Sequence, residues 1–161
     1  MDITKLDFDD EVMLAGLRPW VFCESPSYDP AAVNRMQELA AHDLAVMGAS
    51  IEQITPHRSV GDCIRARFPH SNPDQPGLLI LGHMDTVHPV GTLAHLPVRR
   101  DGNLYYGPGI CDMKGGNYLA LEAIRQLHRI GAQTPLPITV LFTSDEEIGS
   151  PQTRHLIKAE A

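Results

Sequence analysis

The sequence predicts an α/β fold in three layers, with helices on both faces of a mostly parallel, partly mixed central sheet. Two short apolar segments, 77–81 and 137–143, are typical of strands that are covered on both faces. Between them, residues 112–130 carry apolar side chains at helical spacing. Strands that alternate with helices in this way favour a sheet with helices packed on both sides.

Two helices are predicted ahead of the sheet. Residues 9–23 have a helical pattern, although Pro19 must either kink this helix or begin a new one. Asp29 can cap a second helix whose first turn contains Pro30. This second helix has an apolar stripe at helical spacing, and Gly48 is expected to end it.

Shorter elements complete the predicted fold. Strands are expected at 50–55 and 62–68, and the second alternates polar and apolar residues, so that one of its faces contacts water. Residues 86–111 are rich in proline and glycine and form mostly loops, with a short strand near 104–106. A last helix is expected to begin at about residue 151.

Length, charge and cysteine content limit the class of protein. The 161 residues correspond to about one domain, and 43% of them are apolar, which supports a packed core. The 20 acidic and 13 basic residues argue against binding to nucleic acid. No segment approaches the ~18 apolar residues of a membrane span, and the acidic N-terminus lacks the pattern of a signal peptide. Three scattered cysteines indicate reduced thiols and a cytoplasmic location.

Ionisable side chains follow both apolar segments. His83 and Asp85 come just after the first, and Glu146 and Glu147 come just after the second. Asp112 follows a glycine-rich loop and opens the helix between them. Because ligands of open α/β sheets bind outside the carboxyl ends of the strands, these side chains are expected to converge at one rim.

This set of side chains suits a divalent metal such as zinc. Imidazole and carboxylate groups are common zinc ligands. Asp85 lies two residues beyond His83 in an extended segment, so it can accept the second ring N–H of that histidine. Adjacent glutamates point in different directions, so that one of Glu146 and Glu147 can bind metal while the other acts as general base on a water.

Each segment alone also has an ordinary structural explanation. His83 could be a surface residue, the acidic turn at 145–147 could be solvated, and Asp112 could simply cap a helix. Cys111 is expected to be a buried small side chain, and His88 is the further histidine near the site. Dinucleotide-binding, phosphate-binding, serine-hydrolase and HExxH motifs are all missing. The occurrence of three segments at strand or loop ends favours the metal site.

The segments GHMDTV, YGPGICDMKGG and TSDEEIGS, in that order, resemble a family of di-zinc metallohydrolases. The family includes glutamate carboxypeptidases (carboxypeptidase G), aminoacylases, acetylornithine deacetylase and succinyl-diaminopimelate desuccinylase. The motifs span residues 78–150, and the ESPSYD loop before the second helix also fits. The YGPG sequence is more similar to the glutamate-carboxypeptidase branch than to the desuccinylases.

The resemblance implies a role for each site residue. His83 would bind one zinc, Asp112 would bridge both, and Glu147 would bind the second. Glu146 would be the general base, and Asp85 would orient His83. The expected reaction is hydrolysis of an amide bond in a small peptide or N-acyl amino acid, with two Zn²⁺ per intact subunit and Co²⁺ or Mn²⁺ as substitutes. The family often has a cis peptide after the bridging carboxylate, which is expected here after Asp112.

The resemblance also implies a larger protein. Residues 1–161 would be the N-terminal part of a catalytic domain, inactive alone, with further ligands and a lid domain that forms a homodimer outside this chain. One alternative is a metal-free binding or regulatory relative on the same scaffold. Another is a hydrolase with a single metal ion.

Overall fold

The computed structural model describes Thr4 and residues 6–161. These residues form, in chain order, α1 (Asp10–Phe22), α2 (Pro30–Val46), β1 (Ser50–Ile54), β2 (Cys63–Arg67), β3 (Leu78–His83), β4 (Arg99–Asp101), β5 (Leu104–Tyr106), α3 (Gly115–Arg129), β6 (Ile138–Thr143) and α4 (Arg154–Glu160). The predicted α/β class is confirmed. No helix in the described ranges is both long and apolar enough to cross a membrane.

The main sheet is mixed and has the strand order β1-β2-β6-β3. Strands β3 and β6 are parallel, because α3 forms the long crossover between them. The β1–β2 and β2–β6 pairs are antiparallel. The prediction of a mixed sheet is therefore confirmed, but antiparallel pairs predominate among the described strands. The short connection between β1 and β2 favours antiparallel pairing, and no local sequence pattern indicates that β2 pairs with β6.

Helices cover both faces of this sheet, as the three-layer prediction requires. The larger core lies between the sheet and helices α1, α2 and α3, and contains Val140 and Phe142 of β6. Leu141 points to the opposite face, where it packs with Cys63 and with Leu156 of α4. The alternation of side chains along a strand explains why β6 has apolar residues pointing to both faces.

Strand β3 lies at the edge of the sheet, where the sequence predicts a fully covered strand. It pairs with β6 on one side, and no described strand pairs with its other side. Leu78 and Leu81 are consequently 52% and 42% exposed. The sequence predicts the strand correctly, but it is wrong about the burial of both faces. Apolar composition indicates which side chains a strand can bury, and it does not indicate which neighbouring elements are present.

The two N-terminal helices begin as their capping residues require. Asp9 accepts hydrogen bonds from the backbone at the start of α1, which continues through Pro19 without restarting. Asp29 Oδ1 accepts the backbone N–H of Ala32 at 3.0 Å, and Pro30 is the first residue of α2. Gly48 has φ +89° just after α2, as predicted for a residue that ends a helix.

Candidate metal centre

The candidate site lies at the carboxyl ends of the parallel strands β3 and β6. His83, the last residue of β3, is paired in register with Thr143, the last residue of β6. The segments that follow these two residues therefore start side by side. Glu146 and Glu147 lie in a short helical turn after β6. The predicted convergence of the two strand ends is confirmed.

Asp112 reaches the site through a break in the helix that was predicted to include it. The helical turn over Ile110–Lys114 is interrupted at Asp112 (φ −128°, ψ 97°) and at Met113 (φ −136°, ψ 32°), and the Asp112–Met113 peptide is cis, as predicted. Helix α3 consequently begins at Gly115 and not at residue 112. Asp112 does not cap this helix, and its Oδ1 lies 3.1 Å from His83 Nε2.

His83, Asp112 and Glu147 form a cluster that could hold a metal ion. One ligand atom from each lies within 4.8 Å of the others. Two ligands of a tetrahedral zinc, each at 2.0–2.1 Å from the ion, are about 3.3 Å apart. The 3.1 Å between His83 Nε2 and Asp112 Oδ1 fits a shared ion of this kind. The residues present therefore fit the metal that the sequence predicts.

The charges at the cluster also fit a cation. Burial lowers the pKa of His83, but the Asp85 carboxylate, and then Asp112 and Glu146, raise it to about 9. Burial and the charge of Asp112 both raise the pKa of Glu147. Both shifts mean that the site favours additional positive charge, in the form of protons when no metal is bound. A divalent ion would supply that charge.

The Asp85 carboxylate is fully buried behind His83. His83 Nδ1 lies 3.3 Å from Asp85 Oδ1 and 3.0 Å from the Asp85 backbone oxygen. Ser27 Oγ donates to Oδ2 at 2.6 Å, and the backbone N–H groups of Glu146 and Glu147 donate to Oδ1 and Oδ2, each at 3.2 Å. Burial raises the pKa of Asp85, but these hydrogen bonds outweigh it and lower the pKa overall. The carboxylate is therefore ionised and fixed, and it leaves His83 Nε2 directed at Asp112.

The acidic residues after β6 have different surroundings. Glu146 has a half-exposed carboxylate whose Oε2 lies 3.7 Å from His83 Nε2, so it borders the cluster without belonging to it. Asp145 is fully buried and points away, where it accepts hydrogen bonds from the backbone of Gln152 and the hydroxyl of Thr153. Asp145 therefore shapes the turn that presents the two glutamates.

The structure adds two residues to the site that the sequence did not indicate. Ser27 donates to Asp85, and Asn117 Nδ2 donates to the backbone oxygen of His83 at 2.7 Å. Ser27 lies in the ESPSYD loop, so the resemblance of that loop to the family was the available signal. Asn117 lies on the buried face of α3, and helical periodicity alone would assign it an ordinary packing role.

A cleft of about 300 Å³ opens beside the cluster. Its lining includes His88, Cys111, Asp112 and Glu147. The prediction that His88 lies near the site is thus confirmed. The prediction that Cys111 is buried is wrong, because its side chain is exposed. The broken helical turn at 110–114 turns Cys111 outward, a local geometry that hydrophobicity does not predict.

Comparison with known proteins agrees with this geometry. Residues 79–161 match the model of peptidase family M20/M25/M40. The chain belongs to this family. Over 84 residues it is 49% identical to carboxypeptidase G2 of Pseudomonas sp. (strain RS-16), an alignment that covers 52% of this chain and 20% of that protein. The family is one of metal-dependent hydrolases that act as peptidases or amidohydrolases.

Two further relatives extend the match towards the N-terminus. Succinyl-diaminopimelate desuccinylase of Delftia acidovorans is 37% identical over 136 residues, which cover 76% of this chain and 33% of that protein. The solved structure of the dipeptidase Dug1p from Saccharomyces cerevisiae superposes with a TM-score of 0.82 at 20% identity, over 98% of this chain and 37% of that one. This likeness shows a shared fold. The chain spans between about a fifth and two fifths of the length of the three relatives.

Proposed function

We propose that this protein hydrolyses an amide or peptide bond in a small peptide or N-acyl amino acid, with metal ions bound at His83, Asp112 and Glu147. The observation that carries the proposal is the cluster of these three ligand atoms within 4.8 Å of one another, with Asp85 behind the histidine. Similarity to proteins named carboxypeptidase G2 and succinyl-diaminopimelate desuccinylase supports the substrate class.

In this proposal His83 would hold one Zn²⁺, Glu147 would hold a second, and Asp112 would be a ligand shared by both. Co²⁺ or Mn²⁺ could replace zinc, since all three ions accept nitrogen and oxygen ligands. Each ion would then have two protein ligands from this chain, whereas catalytic zinc commonly has three. The missing ligands would come from protein outside these 161 residues. On this ground we propose that residues 1–161 are the N-terminal part of a catalytic domain, inactive alone.

The side chains around the ligands have separate roles in the proposed reaction. The metal, when bound, supplies an acidified water and polarises the substrate carbonyl. Glu146 would take a proton from the attacking water through its exposed carboxylate as the water oxygen bonds to the carbonyl carbon. It would then pass that proton to the amine as the C–N bond breaks. Asp85 holds the Nδ1 side of the His83 ring, which keeps the Nε2 lone pair available as a ligand.

The intact protein is proposed to be a cytoplasmic homodimer, with the dimer contact in a lid domain outside this chain. The free state of Cys23, Cys63 and Cys111 supports a reducing compartment.

The first experiment is titration of this 161-residue chain with Zn²⁺ and Co²⁺, with metal counted per chain after desalting. We expect His83→Ala to weaken metal binding by more than about 100-fold. Loss of a residue that only hydrogen-bonds to a ligand costs ~10–100-fold in metal affinity, and loss of the ligand itself should cost more. His155→Ala is the matched control, because His155 is exposed on α4. Equal and measurable binding by wild type and His83→Ala would contradict the proposed site, whereas no binding by either would mean that the ligands outside this chain are needed. The same count on the intact protein separates the two-metal and one-metal alternatives, and one ion per subunit there would favour a single-metal hydrolase.

The general base is tested in the intact enzyme. Glu146→Gln should lower turnover of a dipeptide or N-acyl amino acid by about 10²–10⁴-fold, with metal content unchanged. Glu38→Gln, at an exposed position on α2, should change neither quantity. Retained turnover in Glu146→Gln would remove Glu146 as the base.

A further inference from the structure

We propose that Ser27 is a positioning residue of the metal site, because its hydroxyl fixes the Asp85 carboxylate and thereby both halves of the site. The inference rests on the proposed metal-binding function. It concerns a side chain in the loop between α1 and α2, remote in sequence from the three motifs that carry the ligands.

Four donor groups of the described residues surround the Asp85 carboxylate. An ionised carboxylate offers about four acceptor positions. Oδ1 faces His83 Nδ1 and the N–H of Glu146, and Oδ2 accepts the N–H of Glu147 and the hydroxyl of Ser27. The bond from Ser27, at 2.6 Å, is the shortest of the four. Among the partners of this carboxylate in the described part of the chain, Ser27 alone lies outside the strand ends of the site.

Backbone pairing determines where the Ser27 hydroxyl points. The loop runs parallel to the segment after β3, with Thr86 N–H donating to the Ser25 oxygen at 2.8 Å and Ser27 N–H donating to the Thr86 oxygen at 3.3 Å. Ser25 Oγ donates in addition to the Met84 oxygen at 2.7 Å. The two backbone hydrogen bonds fix the register, which brings Ser27 opposite Asp85 and does not depend on the Ser25 side chain.

Water cannot easily replace this hydroxyl. Ser27 is 3% exposed and Asp85 is 0% exposed. Without the hydroxyl, one acceptor position of a buried carboxylate would lose its partner, which the carboxylate could relieve by rotating. Rotation would move Oδ1 away from His83 Nδ1, which would keep only its contact with the Asp85 backbone oxygen, and would move the carboxylate away from the backbone N–H groups of Glu146 and Glu147. The two sides of the metal site would therefore shift together.

The test compares Ser27→Ala, Ser27→Thr and Ser25→Ala in this chain, using Co²⁺ as the probe. Ser25→Ala is the matched control, because Ser25 is equally buried in the same loop but donates to a backbone oxygen and not to Asp85. Co²⁺ affinity and the visible absorption of bound Co²⁺ report the ligand geometry. Imidazole ¹⁵N resonances of His83 in metal-free protein report the Nδ1 hydrogen bond independently of any metal.

We expect Ser27→Ala to weaken Co²⁺ binding by about 10–100-fold. It should also change the visible absorption of bound Co²⁺ and the ¹⁵N resonances of the His83 ring. Ser27→Thr keeps the hydroxyl and should bind Co²⁺ with the affinity of wild type. Ser25→Ala should also keep that affinity, even if both alanine variants melt at lower temperature. Unchanged affinity and His83 resonances in Ser27→Ala, or an equal loss in Ser25→Ala, would overturn the proposal. If wild type bound no Co²⁺, binding would require the ligands proposed to lie outside these 161 residues, and the Co²⁺ comparison would be made in the intact protein. The His83 resonances of this chain would still decide the role of Ser27, and absence of bound metal in the intact protein would contradict the proposed function instead.

Discussion

At the scale of single residues, Asp85 connects the two strand ends of the candidate site. It contacts His83 on one side and the backbone of Glu146 and Glu147 on the other. The sequence predicts the first contact, because residues two apart on an extended segment face the same way. It does not predict the second, which depends on the parallel pairing of β3 with β6.

Asp85→Asn should weaken both metal binding and the fold. An amide has a single acceptor oxygen and places N–H groups against the donors that Asp85 now accepts, so at least one buried donor loses its partner. We expect a loss of about 1–3 kcal/mol in the free energy of unfolding and about 10–100-fold in Zn²⁺ affinity. Urea denaturation and competition with a chromophoric chelator measure these quantities. Asp74→Asn, at an exposed loop position, should leave both unchanged.

The cysteines should differ in reactivity, because their surroundings differ. Burial raises the pKa of Cys63 to about 12, whereas Cys111 is exposed beside the cleft. At pH 8, iodoacetamide should therefore label Cys111 in the folded chain, and label Cys63 only after unfolding. Mass spectrometry of peptides measures the labelling. Rapid labelling of Cys63 in folded protein would mean that β2 is less protected than the structure indicates.

The same shift at Cys63 has a consequence for stability. A thiol whose pKa is higher in the folded state than its usual value of 9.0 stays protonated while the unfolded chain ionises. The contribution of the buried Cys63 thiol to the free energy of unfolding is thus complete below pH 9, and it is lost as the pH rises towards 12. Cys63→Ala should flatten this part of a plot of unfolding free energy against pH.

At the scale of elements, strand β3 approaches helix α3 closely at Gly82, next to the candidate ligand His83. A Cβ at Gly82 would lie 2.1 Å from Asn117 Oδ1, and Asn117 is buried and bonded to the His83 oxygen. The side chain of Asn117 would have to move, and its hydrogen bond to the end of β3 would be lost. Close approach of helix and strand is therefore the physical reason for glycine just before His83.

Gly82→Ala should destabilise the fold by about 1–3 kcal/mol and reduce metal affinity through the displaced strand end. Gly116→Ala is the control on α3, since the nearest atom to its Cβ would be 3.9 Å away. Alanine there should be neutral or stabilising by up to about 1 kcal/mol. Urea denaturation of both variants makes the comparison. Equal stability of Gly82→Ala and wild type would show that Asn117 can move without cost.

At the scale of the whole molecule, metal binding should stabilise the chain. An ion that binds the native state alone adds about 2.7 kcal/mol at 100 times its Kd. Zn²⁺ should therefore raise the melting temperature of wild type. His83→Ala should show little change, and His155→Ala should behave as wild type. An equal increase in His83→Ala would mean that the ion binds elsewhere.

Local signals in the sequence determined most of the elements of this protein and the chemistry of its site. Asp29 and Pro30 determine the start of α2, and composition determines β6. The ordered motifs identify His83 and Asp112 as candidate ligands. These features depend on residues close together in the chain, where capping, side-chain periodicity and ligand chemistry act directly.

Tertiary structure alone decided how these pieces meet. The antiparallel pairing of β2 with β6, the exposed edge of β3 and the outward position of Cys111 all depend on which segments become neighbours. Ser27 contacts Asp85 across 58 residues of sequence, and Asn117 contacts His83 across 34. Local propensity contains no information about such distant contacts, because they form when packing of the whole chain brings buried donors to buried acceptors.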